Sequence, residues 1–105
     1  MDKIKIVYDE SKLKIVVDIL TEALKALPNG QEELKNHEIA KQLLSKLKKR
    51  QVDRTYKVGD FKVTYEVYEA IVFEQILRNN FELCNNEYQR NTVRIVADTI
   101  NQRTT

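Results

Sequence analysis

Residues 54–65, RTYKVGDFKVTY, decide the fold class because they interrupt a chain whose neighbouring stretches have helical periodicity. On both sides of Gly59-Asp60, apolar or aromatic residues alternate with polar ones, and this period of two is typical of strands. Glycine at the first central position of a two-residue loop is the signature of a type II′ hairpin. We therefore predict a short β-hairpin over residues 54–65.

A second strand signal lies at residues 3–8, KIKIVY. Its alternation places Ile4, Ile6 and Tyr8 on one face. Since a lone strand needs partners and the hairpin is the one candidate in the sequence, we expect a small three-stranded antiparallel sheet.

Four amphipathic helices account for the rest of the chain. The first begins near Leu13 with Asp9 or Ser11 as its cap, and it stops at Pro28-Asn29-Gly30. The others are expected over residues 31–52, 66–79 and 87–102. This pattern predicts a single α+β domain over residues 1–105, with about four helices packed on the small sheet in the order β-α-α-β-β-α-α.

Helical spacing also predicts which side chains of the last two helices face the core. On helix 66–79 these are Val67, Ala70, Ile71 and Leu77. On helix 87–102 they are Tyr88, Thr92, Ile95, Val96 and Ile100.

Composition excludes several classes of protein. The 105 residues contain two glycines and one proline, so no glycine-rich phosphate loop can form. The single cysteine, Cys84, excludes an intramolecular disulfide and a multi-cysteine metal site. No apolar run is long enough for a membrane span, and the charged start of the chain has no signal-peptide pattern. We therefore expect a cytoplasmic protein with no disulfide or metal dependence, no cofactor and no membrane association.

No set of residues in the sequence predicts catalysis. His37 is the single histidine, and Glu33 four residues earlier makes at best an incomplete metal site. Cys84 has no neighbouring base or cation in the sequence that would lower its pKa, so we interpret it as a buried or loop thiol. The sequence therefore predicts that the protein is not an enzyme.

Basic and aromatic residues are concentrated between Lys46 and Lys62, where Asp53 and Asp60 are the only acids. Nucleic-acid surfaces combine cations for phosphates with aromatic rings for bases. A possible nucleic-acid site would use Lys46, Lys48, Lys49, Arg50, Arg54, Tyr56, Lys57 and Lys62. The alternative interpretation is a solvated helix end followed by an edge hairpin protected by lysines.

Helix 66–79 carries apolar residues around most of its circumference. If one side faces solvent, it is a candidate oligomer interface made of Tyr68, Val72, Phe73 and Ile76. If the chain covers it, these residues are core. The first functional hypothesis is a small intracellular protein-interaction module that forms a homo-oligomer or binds a protein partner. The second is nucleic-acid binding through residues 46–62.

Overall fold

The computed structural model describes residues 3–25, 31–54 and 59–104. Its elements are β1 (Ile4–Tyr8), α1 (Glu10–Ala23), α2 (Gln31–Asp53), β2 (Phe61–Tyr65), α3 (Val67–Asn79) and α4 (Glu87–Thr104), with a short 3-10 turn at Phe81–Leu83. The α+β class and the predicted order of elements are confirmed. The first arm of the predicted hairpin and the Pro-Asn-Gly joint lie on residues outside the described part of the chain.

Within the described residues the sheet consists of β1 and β2, which pair antiparallel. Ile4 lies opposite Tyr65, and Tyr8 lies opposite Phe61. Alternate residues of both strands are buried, as the period of two predicts. The inward face of this small sheet therefore covers the helices, and its outward face carries Lys5 and Val7.

The helix caps follow the local sequence. The Lys12 backbone N–H donates to Asp9 Oδ1 at 2.8 Å, so Asp9 rather than Ser11 caps α1. At the start of α3, Glu66 and Glu69 form a capping box, in which the Glu66 backbone N–H donates to Glu69 Oε1 at 2.9 Å. Both caps hold a helix directly after a strand, which fixes the β1–α1 and β2–α3 turns.

One hydrophobic cluster joins both strands to all four helices. Tyr8 and Tyr65 are fully buried in it, and their hydroxyl oxygens are 2.7 Å apart across the two strands. One O–H donates to the other phenol oxygen, so each buried hydroxyl has a hydrogen-bond partner away from water, which lowers the cost of burying the pair.

The structure corrects three of the predicted inward positions. Ile71, Tyr88 and Ile95 are exposed, the last with 62% of its surface accessible. On α4 the buried residues are Thr92, Val93, Val96, Ala97 and Ile100. The predicted and the observed inward residues of α4 both have helical spacing. The observed set has Val93 and Ala97 in place of the larger Tyr88 and Ile95, which lets α4 lie close to α3. An exposed ion pair also joins the two helices: Arg78 Nη2 on α3 lies 3.1 Å from Asp98 Oδ1 on α4.

Candidate functional site: the two edges of the sheet

Two cations of α2 and one directly after its end face β2. They are Lys46, Arg50 and Arg54, which stand four residues apart and so continue one face of the helix. Arg50 Nη2 donates to the carbonyl oxygen of Lys62 at 3.1 Å, and Lys46 Nζ donates to that of Thr64. Arg54 Nη2 donates to the carbonyl oxygen of Gly59 at 3.2 Å. We call these three side chains the cation row.

The cation row also covers aromatic rings of β2. The guanidinium carbons of Arg50 and Arg54 lie 5.3 and 4.6 Å from the centroid of the Phe61 ring, and Lys46 Nζ lies 4.9 Å from that of Tyr65. The Nε atoms of both arginines are buried and have no hydrogen-bond partner among the described residues. The face of the Phe61 ring, which carries negative partial charge, supplies the attraction that replaces one.

Lys46 has a second partner that the sequence did not reveal. Its Nζ lies 3.3 Å from Oε1 of Glu69, a carboxylate that is almost fully buried. A glutamate in the first turn of a helix is favourable on local grounds alone, because the N-terminal end of the helix is positive. Its burial depends on α2 lying beside that turn, which no local pattern predicts.

These contacts change the interpretation of the predicted nucleic-acid site. Phe61 and Tyr65 are buried, so neither ring is available to stack on a base. The row cations bind the chain's own carbonyls, while Lys48, Lys49 and Lys62 are exposed. The remaining members of the predicted set, Tyr56 and Lys57, lie outside the described residues.

Two of the four residues of the predicted oligomer interface on α3 are buried within the chain. Phe73 is fully buried and Val72 nearly so, because α3 packs against α1, α2 and α4 of its own chain. Tyr68 is exposed, and Ile76 is half-buried against the core cluster. The residues that the prediction grouped therefore do not form one exposed face.

The contacts of the cation row indicate the hydrogen-bonding pattern of the sheet. In an antiparallel pair, opposite residues alternate between those that bond each other and those whose N–H and C=O groups point outward. Because the carbonyls of Lys62 and Thr64 bind α2, we infer that their partners across the sheet, Val7 and Lys5, also direct their backbone groups outward. Lys5 and Val7 therefore form an edge of β1 that no other strand of the described residues pairs with, and we call it the free edge of β1.

A groove lies along this free edge, between β1 and α4. Its volume is about 250 Å³, and it is lined by Lys5, Ile6, Val7, Lys12, Thr92, Ile95, Val96, Thr99 and Arg103. We call it the β1–α4 groove. Val7 is 51% exposed and Ile95 62%, so its rim is apolar. The three charged residues of its lining are all basic.

The sequence analysis missed this groove, although half of its signal was present. The alternation in residues 3–8 already placed Lys5 and Val7 on the face opposite the core. It could not show that α4 lies beside them, because that neighbour is more than eighty residues away in the chain.

Burial raises the pKa of three side chains: Tyr8, Tyr65 and Cys84. Desolvation raises the pKa of both Tyr8 and Tyr65 well above the ordinary value of 10.0, so both phenols stay protonated. Burial also raises the pKa of the Cys84 thiol, which makes it a poor nucleophile at neutral pH. Among the described residues, no three His, Cys, Asp or Glu side chains are grouped as metal ligands.

No described helix is both long and apolar enough to cross a membrane. Comparison of the chain with protein-family models, with curated proteins and with solved structures gave no match.

Proposed function

We propose that this chain is a non-catalytic protein-interaction module whose contact surface is the β1–α4 groove. The observation that carries the proposal is the contrast between the two sheet edges. The carbonyls of the β2 edge are bonded by the cation row, whereas the β1 edge adjoins a groove with exposed apolar residues. Exposed apolar side chains beside unpaired strand groups are typical of surfaces that bind another polypeptide.

The partner is better proposed as a different protein than as a second copy. A second copy that met this one edge to edge would bring two sets of Lys5, Lys12 and Arg103 together, and like charges across an interface oppose binding. We therefore expect light scattering to give the 12.4 kDa mass of a monomer at every concentration. A mass that doubles with concentration would instead support the homo-oligomer that the sequence suggested.

Nucleic-acid binding remains the alternative, with less support. Three of its predicted cations bind backbone carbonyls, and Phe61 in that stretch and Tyr65 beside it are buried. The predicted cations that are exposed, and could therefore contact phosphates, are Lys48, Lys49 and Lys62. Labelled DNA or RNA that binds at low salt, and loses binding when these three are changed to Glu, would favour it over a protein partner.

The proposed function is tested by site-specific crosslinking in the protein's own host cell. A photoreactive phenylalanine analogue replaces Ile95 in the groove, and in a control it replaces Val52, which is 72% exposed on α2. We expect a protein adduct at position 95 but not at position 52, and we expect Val7→Glu, which removes an exposed apolar side chain from the groove, to abolish it. Equal adducts at both positions, or none at position 95, would contradict the proposal.

A further inference from the structure

We propose that the β1–α4 groove binds an extended, acidic segment of a partner protein, which adds to the free edge of β1 as a neighbouring strand. This inference rests on the proposed function and names the chemistry of its partner. Three properties of the groove support it: its backbone groups, its shape and its charge.

The backbone groups are those of Lys5 and Val7. Residues two apart on a strand direct their N–H and C=O groups to the same edge at a regular spacing. An extended peptide presents its own groups at that spacing, so it can pair with both residues, as in other complexes formed by strand addition. Among the described residues, no side chain binds these groups in the way that the cation row binds the β2 carbonyls.

The shape of the groove also favours a strand. Its wall on α4 is formed by Ile95 and Thr99, which are four residues apart and therefore lie one above the other along the helix. Every second side chain of an added strand would face this wall. The volume of about 250 Å³ is below the roughly 300–1,000 Å³ of most small-molecule pockets, and it suits a few side chains in a row.

Charge selects the composition of the segment. Lys5, Lys12 and Arg103 line the groove, no acidic residue does, and none of the three makes an ion pair among the described residues. Lysines nearby differ: Lys3 pairs with Glu66 at 3.3 Å, and Lys14 pairs with Asp18 at 3.0 Å. Carboxylates of a bound segment would complement the groove cations, whereas a basic segment or a second copy would be repelled.

The binding experiment uses the full chain and a labelled pool of octapeptides. Acidic residues occupy four alternate positions of each peptide, and Val, Ile or Thr occupies the other four. We expect saturable binding by fluorescence anisotropy at low salt, and at least tenfold weaker binding of a pool with Lys at the acidic positions. Equal binding of both pools would overturn the proposal.

Charge reversal locates the interaction with a matched control. In one variant Lys5, Lys12 and Arg103 are changed to Glu; in the other Lys48, Lys49 and Lys62 are changed to Glu. The two variants have the same net charge, so a general electrostatic effect would weaken both equally. We expect about tenfold or greater weakening in the first and less than about twofold in the second. Equal weakening, or stronger weakening in the second, would overturn the proposal.

Strand addition is distinguished from simple charge attraction by NMR. With the acidic pool bound, we expect the amide signals of Lys5 and Val7 to shift and their hydrogen exchange to slow. Val7→Pro removes one edge N–H and should abolish binding. If that variant does not fold, peptides with proline at alternate positions remove the same bonds from the ligand side. Shifts centred on Lys62 and Thr64, or undiminished binding of proline peptides, would show that the inference is wrong.

The crosslinking experiment separates this inference from the proposed function. If position 95 still gives a specific adduct while the acidic pool does not bind, strand addition is wrong and the interaction module stands. If neither occurs, both are wrong.

Discussion

The two edges of the sheet differ in what lies against their backbone groups. On the β2 edge, the cation row uses side chains from a helix to bind strand carbonyls and to cover Phe61. On the β1 edge, α4 lies alongside but contributes exposed Ile95 and no bonded cation. The comparison shows that long basic side chains can bind the outward carbonyls of a strand edge, which has no further strand beside it among the described residues. An edge left open beside a groove is then a feature that a partner can use.

The largest expected effect comes from removing the cation row. Changing Lys46, Arg50 and Arg54 to Met keeps their aliphatic stems but leaves buried Glu69 unpaired and the β2 carbonyls without donors. We expect the free energy of unfolding to fall by about 3 kcal/mol or more, since an unpaired buried carboxylate alone is costly. Urea unfolding followed by circular dichroism measures it.

The matched variant for that prediction changes Lys5, Lys12 and Arg103 to Met at the other edge. Because these cations make no ion pair within the described chain, we expect a change within about 0.5 kcal/mol. Equal destabilisation by the two triple variants would mean that the edges do not differ as proposed.

A smaller effect is expected from the hydrogen bond that ties the two strands together. Tyr8→Phe leaves the buried hydroxyl of Tyr65 without its partner and should cost about 1–3 kcal/mol. Tyr65→Phe should behave similarly. The double variant buries no unpaired hydroxyl, so its loss should be smaller than the sum of the two single losses. Strictly additive losses would show that the two phenols are not coupled.

The same pair makes stability depend on alkaline pH. Burial raises both phenol pKa values above the 10.0 of an exposed tyrosine, so above that pH the unfolded chain loses protons that the folded chain keeps. The contribution is fully present below pH 10 and is lost as the pH rises toward the folded pKa values. We expect urea midpoints to fall above pH 10, and to fall less in the Tyr8→Phe, Tyr65→Phe double variant.

The smallest expected effect is the pattern of amide exchange along β1. It tests directly which residues of β1 direct their backbone groups away from β2. Ile6 bonds to Val63 in the inferred register, whereas Lys5 and Val7 face outward. We expect slow exchange at Ile6 and fast exchange at its two neighbours in the free protein, measured by NMR. Slow exchange at Lys5 and Val7 with fast exchange at Ile6 would reverse the register and exchange the roles of the two edges.

The sequence predicted what depends on neighbouring residues. Alternation identified both described strands, and the cap of α1 is Asp9, one of the two residues that the sequence offered. It could not predict which elements lie side by side. The basic residues of α2 therefore suggested a nucleic-acid surface. In the structure, Lys46 and Arg50 instead bind carbonyls of β2, which lies further along the chain. Likewise Ile95 had the spacing of a core residue, and only the position of α3 decided between two overlapping stripes.

The buried tyrosine pair gives the protein an optical label of its own. The chain contains no tryptophan, so its near-ultraviolet absorption and emission come mainly from five tyrosines. Two of these share a hydrogen bond that exists only while β1 lies against β2. Their spectrum therefore differs from that of solvated phenols, and it changes when the strands separate. Assembly of the sheet can be followed in the unmodified chain, without a dye and without disturbing either edge.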